Sequence, residues 1–161
     1  AKKVGLLFCS AEPNSRYQID EVRKALEAQG VTCEEFAFTD SNDVSSVTQK
    51  AADFSDVVYI PTDNTAASCA EAIKSAAKKP IIAGEEGICK ACGVATLSID
   101  YYELGRMTGA MGADILEGKK TPGEIPVGFQ TAQKPFINLK VAQSIGLELP
   151  QALLERSNVQ K

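Results

Sequence analysis

The stretch Val4-Gly5-Leu6-Leu7-Phe8 is a short apolar run, and the residues that follow it decide the fold. An apolar run of this length without alternating polar positions is typical of a strand that is buried on both faces. After a polar loop, residues 16–29 follow a helical period, and Gly30 stands where a left-handed residue ends a helix. The apolar residues on one face of this helix are Ile19, Val22 and Leu26. Residues 31–38 then predict a second strand.

The same succession of strands and helices continues along the chain. We predict a helix over residues 43–52, a strand over 57–60, a helix over 64–78, and strands over 80–83 and 94–97. Apolar strands that alternate with helices are typical of a parallel sheet covered by helices on both faces. The predicted fold class is therefore α/β, a three-layer flavodoxin-like sandwich with a five-stranded parallel sheet.

The C-terminal part of the chain differs, because prolines interrupt it repeatedly. We predict a helix over residues 100–117, a strand over 127–130, a short helix over 138–145 closed by a glycine, and a polar end. The apolar residues on one side of the first helix are Leu104, Met107, Met111 and Ile115. We therefore divide the chain into an α/β ligand-binding lobe at 1–98, and a crossover helix, returning strand and C-terminal tail at 99–161.

Length and composition exclude several classes of protein. A chain of 161 residues and 17.1 kDa suits one domain, and 44% hydrophobic residues with 24% charged ones suit a packed core. Histidine and tryptophan are both absent, which excludes serine-histidine triads, cysteine-histidine pairs and imidazole zinc sites. The net charge is −4 and basic residues never exceed two in a row, so we expect no nucleic acid partner.

The beginning of the sequence and its hydropathy bear on targeting. No apolar run is long enough to span a membrane, and the first residues lead directly into the first predicted strand. We therefore expect no export signal within this chain. The odd number of cysteines fits a reduced surrounding or a buried apolar role, and it leaves the compartment open.

Two cysteine patterns raise the question of chemistry. Cys9 ends the first strand, where a thiolate near a helix start would be activated as a nucleophile. The loop after it carries Glu12 and Pro13 instead of the glycines that cradle a phosphate, which disfavours a phosphatase-like or phosphotransfer enzyme. Cys89 and Cys92 have the spacing of half a zinc site or a redox pair. We place them in a late loop, with no second pair to complete a metal site.

The predicted fold directs attention to the loops after the strands, because a parallel sheet binds ligands beyond the carboxyl ends of its strands. The segment from Thr62 to Thr65 places a carboxylate, an amide and two hydroxyls at a helix start, where an anionic ligand group is favoured. Any one of these side chains could also serve only as a helix cap. Glu85 and Glu86 suit an ammonium group, or form a solvated acidic loop. Asp100 has the position of a cap for its own helix.

Four motifs in the same order resemble one known family. They are VYIPTDNT at residues 58–65, IAGEEG at 82–87, ATLSIDYYELGR at 95–106, and INLK at 137–140 followed by GLELP at 146–150. The resemblance is to the ABC-importer substrate-binding lipoproteins that include tryptophan and tyrosine binders. The loop EPNS at residues 12–15 is also similar to the family's turn after the first strand of its second lobe.

This resemblance implies the type 1 periplasmic-binding fold, in which two lobes hold the ligand between them and a hinge closes. The chain is similar to the second lobe with the C-terminal tail, so the first lobe would be a missing partner. The implied ligand is an amino acid, with an aromatic one favoured. For the intact family protein, the implied partner is an ABC permease and the implied location is extracytoplasmic. The resemblance implies no catalytic residue, no cofactor and no metal.

The resemblance also implies which positions contact the ligand. Those that match the family's site are Asn14, Ser15, Thr62, Asp63, Asn64, Thr65, Glu86, Asp100 and Tyr101. By this resemblance, Asp63 and Glu86 are assigned to the ligand ammonium. Asn64 and Thr65, with the helix start, are assigned to the ligand carboxylate.

The helix predicted at 100–117 adds a question of partners. In the two-lobed relatives it crosses onto the first lobe, so in this chain it must cover its own sheet or be exchanged with a second copy in a homodimer. Two other hypotheses stay open at this point. The chain could be a fragment or scaffold without ligand binding, or an enzyme that depends on Cys9.

Overall fold

The computed structural model describes residues 1–130 and 134–160, and its centre is a seven-stranded sheet. The strands, in chain order, are β1 (Lys3–Cys9), β2 (Thr32–Phe38), β3 (Val57–Ile60), β4 (Ile81–Ala83), β5 (Ala95–Ser98), β6 (Lys134–Asn138) and β7 (Asn158–Gln160). Their spatial order is β2-β1-β3-β4-β5-β6-β7. The first five strands are parallel and have the flavodoxin-like order, which confirms the predicted class.

Eight helices connect or follow the strands in the described part of the chain. They are α1 (Pro13–Glu27), α2 (Val44–Phe54), α3 (Asn64–Ser68), α4 (Ala70–Ala77), α5 (Glu86–Ala91), α6 (Tyr101–Leu116), α7 (Leu139–Ser144) and α8 (Gln151–Glu155). A short 3-10 turn covers Pro122–Glu124. Gly30 and Gly146 both have positive φ, at 77° and 68°, and each follows the end of a helix as predicted.

The two faces of β1 explain why its sequence is apolar throughout. Val4, Leu6 and Phe8 pack with Ile19 of α1 on one face of the sheet. Leu7 and Cys9 point to the opposite face, where the larger core is formed with α2, α4 and α5. Because successive side chains of a strand point to opposite faces, a strand covered on both sides needs apolar residues at every position.

The predicted count of five strands is wrong, because two further strands join the sheet beside β5. β6 runs antiparallel to β5, and β7 runs parallel to β6. The strand predicted at 127–130 has no regular structure, and its apolar side chains Val127 and Phe129 are exposed. β6 was not predicted, because Pro135 lacks an N–H and a proline argues against an inner strand. β7 was not predicted, because the polar C-terminal end of the chain contains no apolar run.

Two predicted helical boundaries also require correction. The helix predicted over 64–78 is interrupted at Cys69, where φ is −104° and ψ is 12°, so it forms α3 and α4. The region from Gly84 to Cys92, predicted as a loop, contains the helix α5. It forms because the Glu85 carboxylate accepts hydrogen bonds from the N–H groups of Gly87 and Ile88 and so caps the helix.

One face of the sheet is only partly covered. The side chains of Tyr59, Ile82, Val4 and Val57 line an apolar hollow of about 420 Å³ in which α1 forms one wall, and Leu97 on β5 is 60% exposed. The helix α6, whose residues are all described, has no buried residue. Its apolar side packs on the segment after it, where Met107 and Met111 approach Gly128.

Candidate functional site

The site lies where β1, β3, β4 and β5 end, because parallel strands place their carboxyl ends on one edge of the sheet. Ile60 and Ala83, the last residues of β3 and β4, are paired in register. Gly84 then approaches the neighbouring loop closely, since a Cβ at this position would lie 2.7 Å from the carbonyl carbon of Pro61 and from the nitrogen of Thr62. The loops after β3 and β4 are therefore held against each other.

Asp63 is buried at the centre of this edge, with 2% of its surface exposed. Its Oδ2 accepts hydrogen bonds from the Cys9 N–H at 2.7 Å and from the Ser15 hydroxyl at 2.9 Å. Its Oδ1 accepts the Ala66 N–H at 2.8 Å, so it caps α3. The carboxylate of Asp63 thus ties the loops after β1 and β3 together, and both of its oxygens are occupied.

The start of α1 reaches across to the same loop. Asn14 donates from Nδ2 to the Thr62 carbonyl at 2.9 Å, and the Ser15 hydroxyl lies 3.4 Å from the same oxygen. Gln18 accepts the Thr62 N–H at 3.0 Å. The predicted residues Asn14, Ser15 and Thr62 are therefore brought into one hydrogen-bonded group with Asp63.

Glu12 is a residue of this edge that the sequence analysis missed as a contact. Its Oε2 accepts the Asn64 N–H at 3.0 Å, and its Oε1 accepts the Thr65 N–H at 2.7 Å and the Thr65 hydroxyl at 2.8 Å. Partial burial raises the pKa of Glu12, but the hydrogen bonds from Asn64 and Thr65 outweigh it, so the pKa lies below its ordinary 4.5. The sequence did contain a signal for this contact. Glu12 follows β1, and a helix with free N–H groups was predicted to start after β3, at the same edge of the sheet.

The next loop carries two acidic residues with different surroundings. Glu85 caps α5 through the N–H groups of Gly87 and Ile88. Glu86 instead points outward, and its carboxylate forms an ion pair with Lys90 at 2.6 Å. The side chain of Glu86 is 35% exposed, which leaves it accessible to a ligand.

Glu86 also lines a cleft of about 330 Å³ beyond the end of β5. Asp100 lies in this cleft and caps α6, because its Oδ1 accepts the N–H groups of Tyr102 and Glu103. The Asp100 N–H donates to Gln130 Oε1 at 2.6 Å. The cleft is lined by Glu86, Ser98, Ile99, Asp100, Glu103, Gln130, Phe136 and Asn158.

The structure therefore arranges the predicted residues in two neighbouring groups on one edge. The first group surrounds the loop after β3 and contains Asn14, Ser15 and Thr62 to Thr65. The second group is the cleft with Glu86 and Asp100. Tyr101 follows directly and is 54% exposed. A small polar molecule at this edge would meet carboxylates, amides and hydroxyls.

Three of the five thiols, those of Cys9, Cys89 and Cys92, are buried. Cys9 is 1% exposed, and its Sγ lies 3.5 Å from the Thr39 carbonyl. Burial raises the pKa of Cys89 and of Cys92 to about 12, so both thiols stay protonated at neutral pH. Among the described residues, no group of three histidines, cysteines or acids is arranged to hold a metal ion. None of their helices is long and apolar enough to cross a membrane.

A flavodoxin-like sheet with its polar groups on one edge defines the class of lobe found in periplasmic binding proteins. The chain belongs to the ABC transporter substrate binding protein family, whose model matches residues 1–161. The family that the four sequence motifs predicted is thereby confirmed.

Individual relatives agree with this membership. A protein described as a tyrosine-binding protein, from Clostridioides difficile (strain R20291), is 30% identical over 151 residues. A solved domain from Streptococcus pneumonia in complex with L-Trp superposes with a TM-score of 0.88 at 32% identity. The ligand-free, open structure of a substrate binding protein with adhesive properties from Clostridium difficile superposes with a TM-score of 0.80 at 30% identity.

These relatives are longer than the chain. The match covers 92% of this chain but 44% of the tyrosine-binding protein. The solved structures cover 99% and 100% of this chain, which in turn spans 55% of each of them. The chain thus spans about half the length of these relatives.

Proposed function

We propose that this chain is the amino-acid-binding lobe of an ABC importer's substrate-binding protein, that an aromatic amino acid is its ligand, and that it catalyses no reaction. The observation that carries the proposal is the gathering of Glu86, Asp100 and the loop from Thr62 to Thr65 on one edge of the sheet. Support comes from relatives described as tyrosine-binding or solved with L-Trp. Binding proteins of such importers work outside the cytoplasm, and we propose the same location here.

The contacts proposed for each residue follow from its exposure. Glu86 is accessible and receives the ligand ammonium, with Asp100 and Tyr101 beside it. Asp63 was also assigned to the ammonium, but its oxygens are occupied and it is buried, so we give it the role of positioning the loops. Asn14, Ser15 and Thr62 hold the same loop in place.

The affinity of this lobe alone is expected to be low. If a complete two-lobed site binds its amino acid at about 1 μM, the free energy is roughly 8 kcal/mol. An equal division between the lobes leaves about 4 kcal/mol for each, which corresponds to a millimolar dissociation constant.

The test is a titration with L-tryptophan, followed by NMR spectra of the backbone amides. We expect shifts at Thr62 to Thr65, Glu86 and Asp100 with a dissociation constant of about 1 mM. Glu86→Gln should weaken binding about tenfold, because a charge-assisted contact is lost. The matched control is Glu34→Gln, since Glu34 is exposed on β2 away from the site edge. An absence of shifts at saturating tryptophan would favour a scaffold without ligand binding.

We further propose that α6 contacts a second lobe. No residue of α6 is buried, and Leu116 is 90% exposed on it, so the helix needs a covering surface. In the intact protein that surface is the first lobe, and an ABC permease receives the closed pair. A solution mass of 17.1 kDa for the chain supports this assignment. Twice that mass would instead support a homodimer that exchanges α6.

The competing enzyme hypothesis depends on Cys9. Its side chain is buried against the Thr39 carbonyl, and its N–H is held by Asp63. Cys9→Ser should leave tryptophan binding unchanged within about twofold, because the thiol lies outside the proposed contacts. A turnover that disappears with this substitution would contradict the proposal that no reaction is catalysed.

A further inference from the structure

We infer that a cavity at the edge of the sheet opposite the candidate functional site binds a small amphiphilic anion, a molecule with one acidic head group and a short hydrocarbon tail. The cavity has a volume of about 420 Å³, which is within the range of small-molecule sites. Three lysines lie on its rim: Lys74, Lys78 and Lys79. This site is independent of the proposed function, because it uses different residues on a different edge.

The position of the cavity follows from the direction of the chain. α4 and α5 run back from the edge that carries Asp63 and Glu86, so they end at the amino edge of the parallel strands. β6 is antiparallel to β5 and ends at this same edge, where α7 follows it. The cavity lies between α4, α7 and the first residue of β4, Ile81. A molecule bound there would leave Asp63 and Glu86 unobstructed.

The floor of the cavity is apolar. Ile81, Cys92 and Val141 form it and are buried, and Ile145 beside them is partly buried. A hydrocarbon tail on this floor would be removed from water, which is the main favourable contribution to the binding of an apolar group. The floor therefore suits the tail of an amphiphile and offers nothing to a charged head group.

The rim of the cavity is positively charged. The ammonium groups of Lys74, Lys78 and Lys79 form no ion pair with an acid among residues 1–130 and 134–160. Elsewhere, Lys24 and Lys90 have acid partners at 2.8 and 2.6 Å. The net charge of the chain is −4, so three unpaired ammonium groups around one cavity create a local potential of the opposite sign. Such a potential attracts an anion.

The two serines of the lining do not replace the lysines as donors. The Ser75 hydroxyl donates to the Glu71 carbonyl at 2.9 Å, and the Ser144 hydroxyl donates to the Val141 carbonyl at 2.7 Å. Both bonds lie inside a helix, so these hydroxyls offer acceptor lone pairs to a ligand. An acidic head group therefore has the lysine ammonium groups as its donors.

Lys78 occupies a position that normally favours glycine. Its φ is 45°, and in the described part of the chain it is the only residue other than glycine with a positive φ. A left-handed residue after a helix is usually glycine, because a side chain adds strain there. The helix dipole of α4 does not require this lysine, since Lys74 already lies in the last turn. The side chain of Lys78 instead adds charge to the rim.

One acid lies near this rim without neutralising it. The Oδ2 of Asp56 accepts the N–H groups of Lys2 at 2.7 Å and Lys3 at 3.0 Å. These hydrogen bonds, and to a smaller extent the charge of Lys79, lower the pKa of Asp56. Its carboxylate is thus held at the start of β1, and the rim keeps its positive charge.

The experiment compares octanoate with octylammonium, which has the opposite charge, and with butyrate, which has a shorter tail. Each is titrated into the full chain below its micelle concentration, at constant pH and ionic strength, while the backbone amide NMR signals are followed. We expect octanoate to shift the amides of Lys78, Cys92 and Ile145 with a dissociation constant of about 1 mM. Octylammonium and butyrate should bind there at least about tenfold more weakly.

Two variants test the rim directly. Lys78→Gly removes one ammonium group and relaxes the left-handed backbone, so it should keep its thermal stability and bind octanoate about threefold more weakly. The triple variant Lys74→Gln, Lys78→Gly, Lys79→Gln should bind octanoate at least about tenfold more weakly, and should no longer distinguish it from octylammonium. The matched control is Lys50→Gln, because Lys50 is exposed on α2 and lies outside the lining.

Vesicles distinguish two sources of the same head-group chemistry. If the chain also sediments with phosphatidylglycerol vesicles and not with phosphatidylcholine vesicles, and the triple variant does not, the acidic head group belongs to a membrane lipid. If octanoate binds and neither vesicle carries the chain down, the ligand is a free carboxylate. Either result supports the inferred site.

Three results would overturn the inferred site. Equal binding of octanoate and octylammonium to the unchanged chain would show that the tail alone is recognised. Shifts at Tyr59 and Ile82 in place of Lys78 and Cys92 would place the tail in the apolar hollow on the other face of the sheet. Octanoate binding that is unchanged in the triple variant would exclude the lysines. Titration with L-tryptophan tests the proposed function separately, so each can fail without the other.

Discussion

Asp63 shows how a single buried side chain can hold the loops of this edge together. Its carboxylate connects the end of β1, the start of α1 and the start of α3 through Cys9, Ser15 and Ala66. A buried carboxylate is stable only when its oxygens are hydrogen-bonded, and here three donors supply that requirement. The geometry of the loop from Thr62 to Thr65 therefore depends on Asp63.

At the scale of this residue, we predict that Asp63→Asn lowers the free energy of unfolding by about 2–4 kcal/mol. The asparagine amide would place donors against backbone N–H groups, which leaves buried N–H groups without an acceptor. Urea denaturation measures the change. Asp53→Asn is the control, because the exposed Asp53 carboxylate accepts a hydrogen bond from Gln49 on the same helix and its substitution should change stability by less than about 0.5 kcal/mol. Equal losses in the two variants would contradict the buried cap.

The residue types of the site could be predicted from sequence, but their roles could not. Polar residues after apolar strands indicated the edge, and Thr62 to Thr65 and Glu86 do lie there. Glu12 was considered only as a residue that would repel phosphate. Its contact with Asn64 joins positions far apart in the chain, and no local pattern reports such a contact.

At the scale of the elements, the close approach of the loops after β3 and β4 depends on a glycine. Gly84 follows β4 and lies so close to Pro61 and Thr62 that no Cβ fits without moving backbone atoms. Its N–H donates to the Ile60 carbonyl at 2.7 Å, which continues the pairing of the two strands beyond their ends. The absence of a side chain at Gly84 is therefore what allows the loops after β3 and β4 to meet.

We predict that Gly84→Ala destabilises the protein by about 2 kcal/mol or more, because a rigid backbone contact must open. Thermal unfolding measures the loss, and the amide signals of Thr62 to Thr65 should shift in the NMR spectrum. Gly109→Ala is the matched control, since a Cβ there meets nothing within 4 Å on helix α6. It should raise stability by roughly 0.5–1 kcal/mol through helix propensity. A neutral Gly84→Ala variant would show that the loops adjust freely.

The errors among the predicted elements have physical causes. α5 depends on the Glu85 cap, and a six-residue helix carries too little periodicity to be recognised. β6 contains Pro135, and a proline argues against a strand. In the structure, Pro135 lies opposite Leu97 in the antiparallel pairing of β6 with β5. In both cases the tertiary neighbour, and not the local sequence, stabilises the element.

At the scale of the whole molecule, the chain divides into a packed sheet and an exposed helical extension. The sheet carries its main core on the face of α2, α4 and α5. The opposite face leaves Ile82 and Leu97 accessible, and α6 packs against the segment that contains Gly128. Apolar surfaces of this kind mark contact sites.

We predict that hydrogen exchange of the free chain separates these two parts. The amides of β1 and β3 should exchange at least about 1000-fold more slowly than those of α6, because exchange from a helix without buried residues requires only local opening. Mass spectrometry of peptides from the exchanged chain provides the measurement. If the chain is a monomer and the amides of α6 are protected as strongly as those of β1 and β3, the exposed arrangement of α6 is contradicted. Equal protection in a dimer would support the exchange of this helix.

The sequence alone determined the α/β class, the parallel order of the first strands and the polar edge. It did so because buried strands, helical periods and residues after strand ends are local properties of the chain. Only the tertiary structure decided that β6 and β7 complete the sheet, that Glu12 fills the loop after β3, and that α6 stays uncovered. Each of these features depends on contacts between segments that are distant in the sequence. The energy of such a contact depends on both segments together, so neither segment predicts it alone.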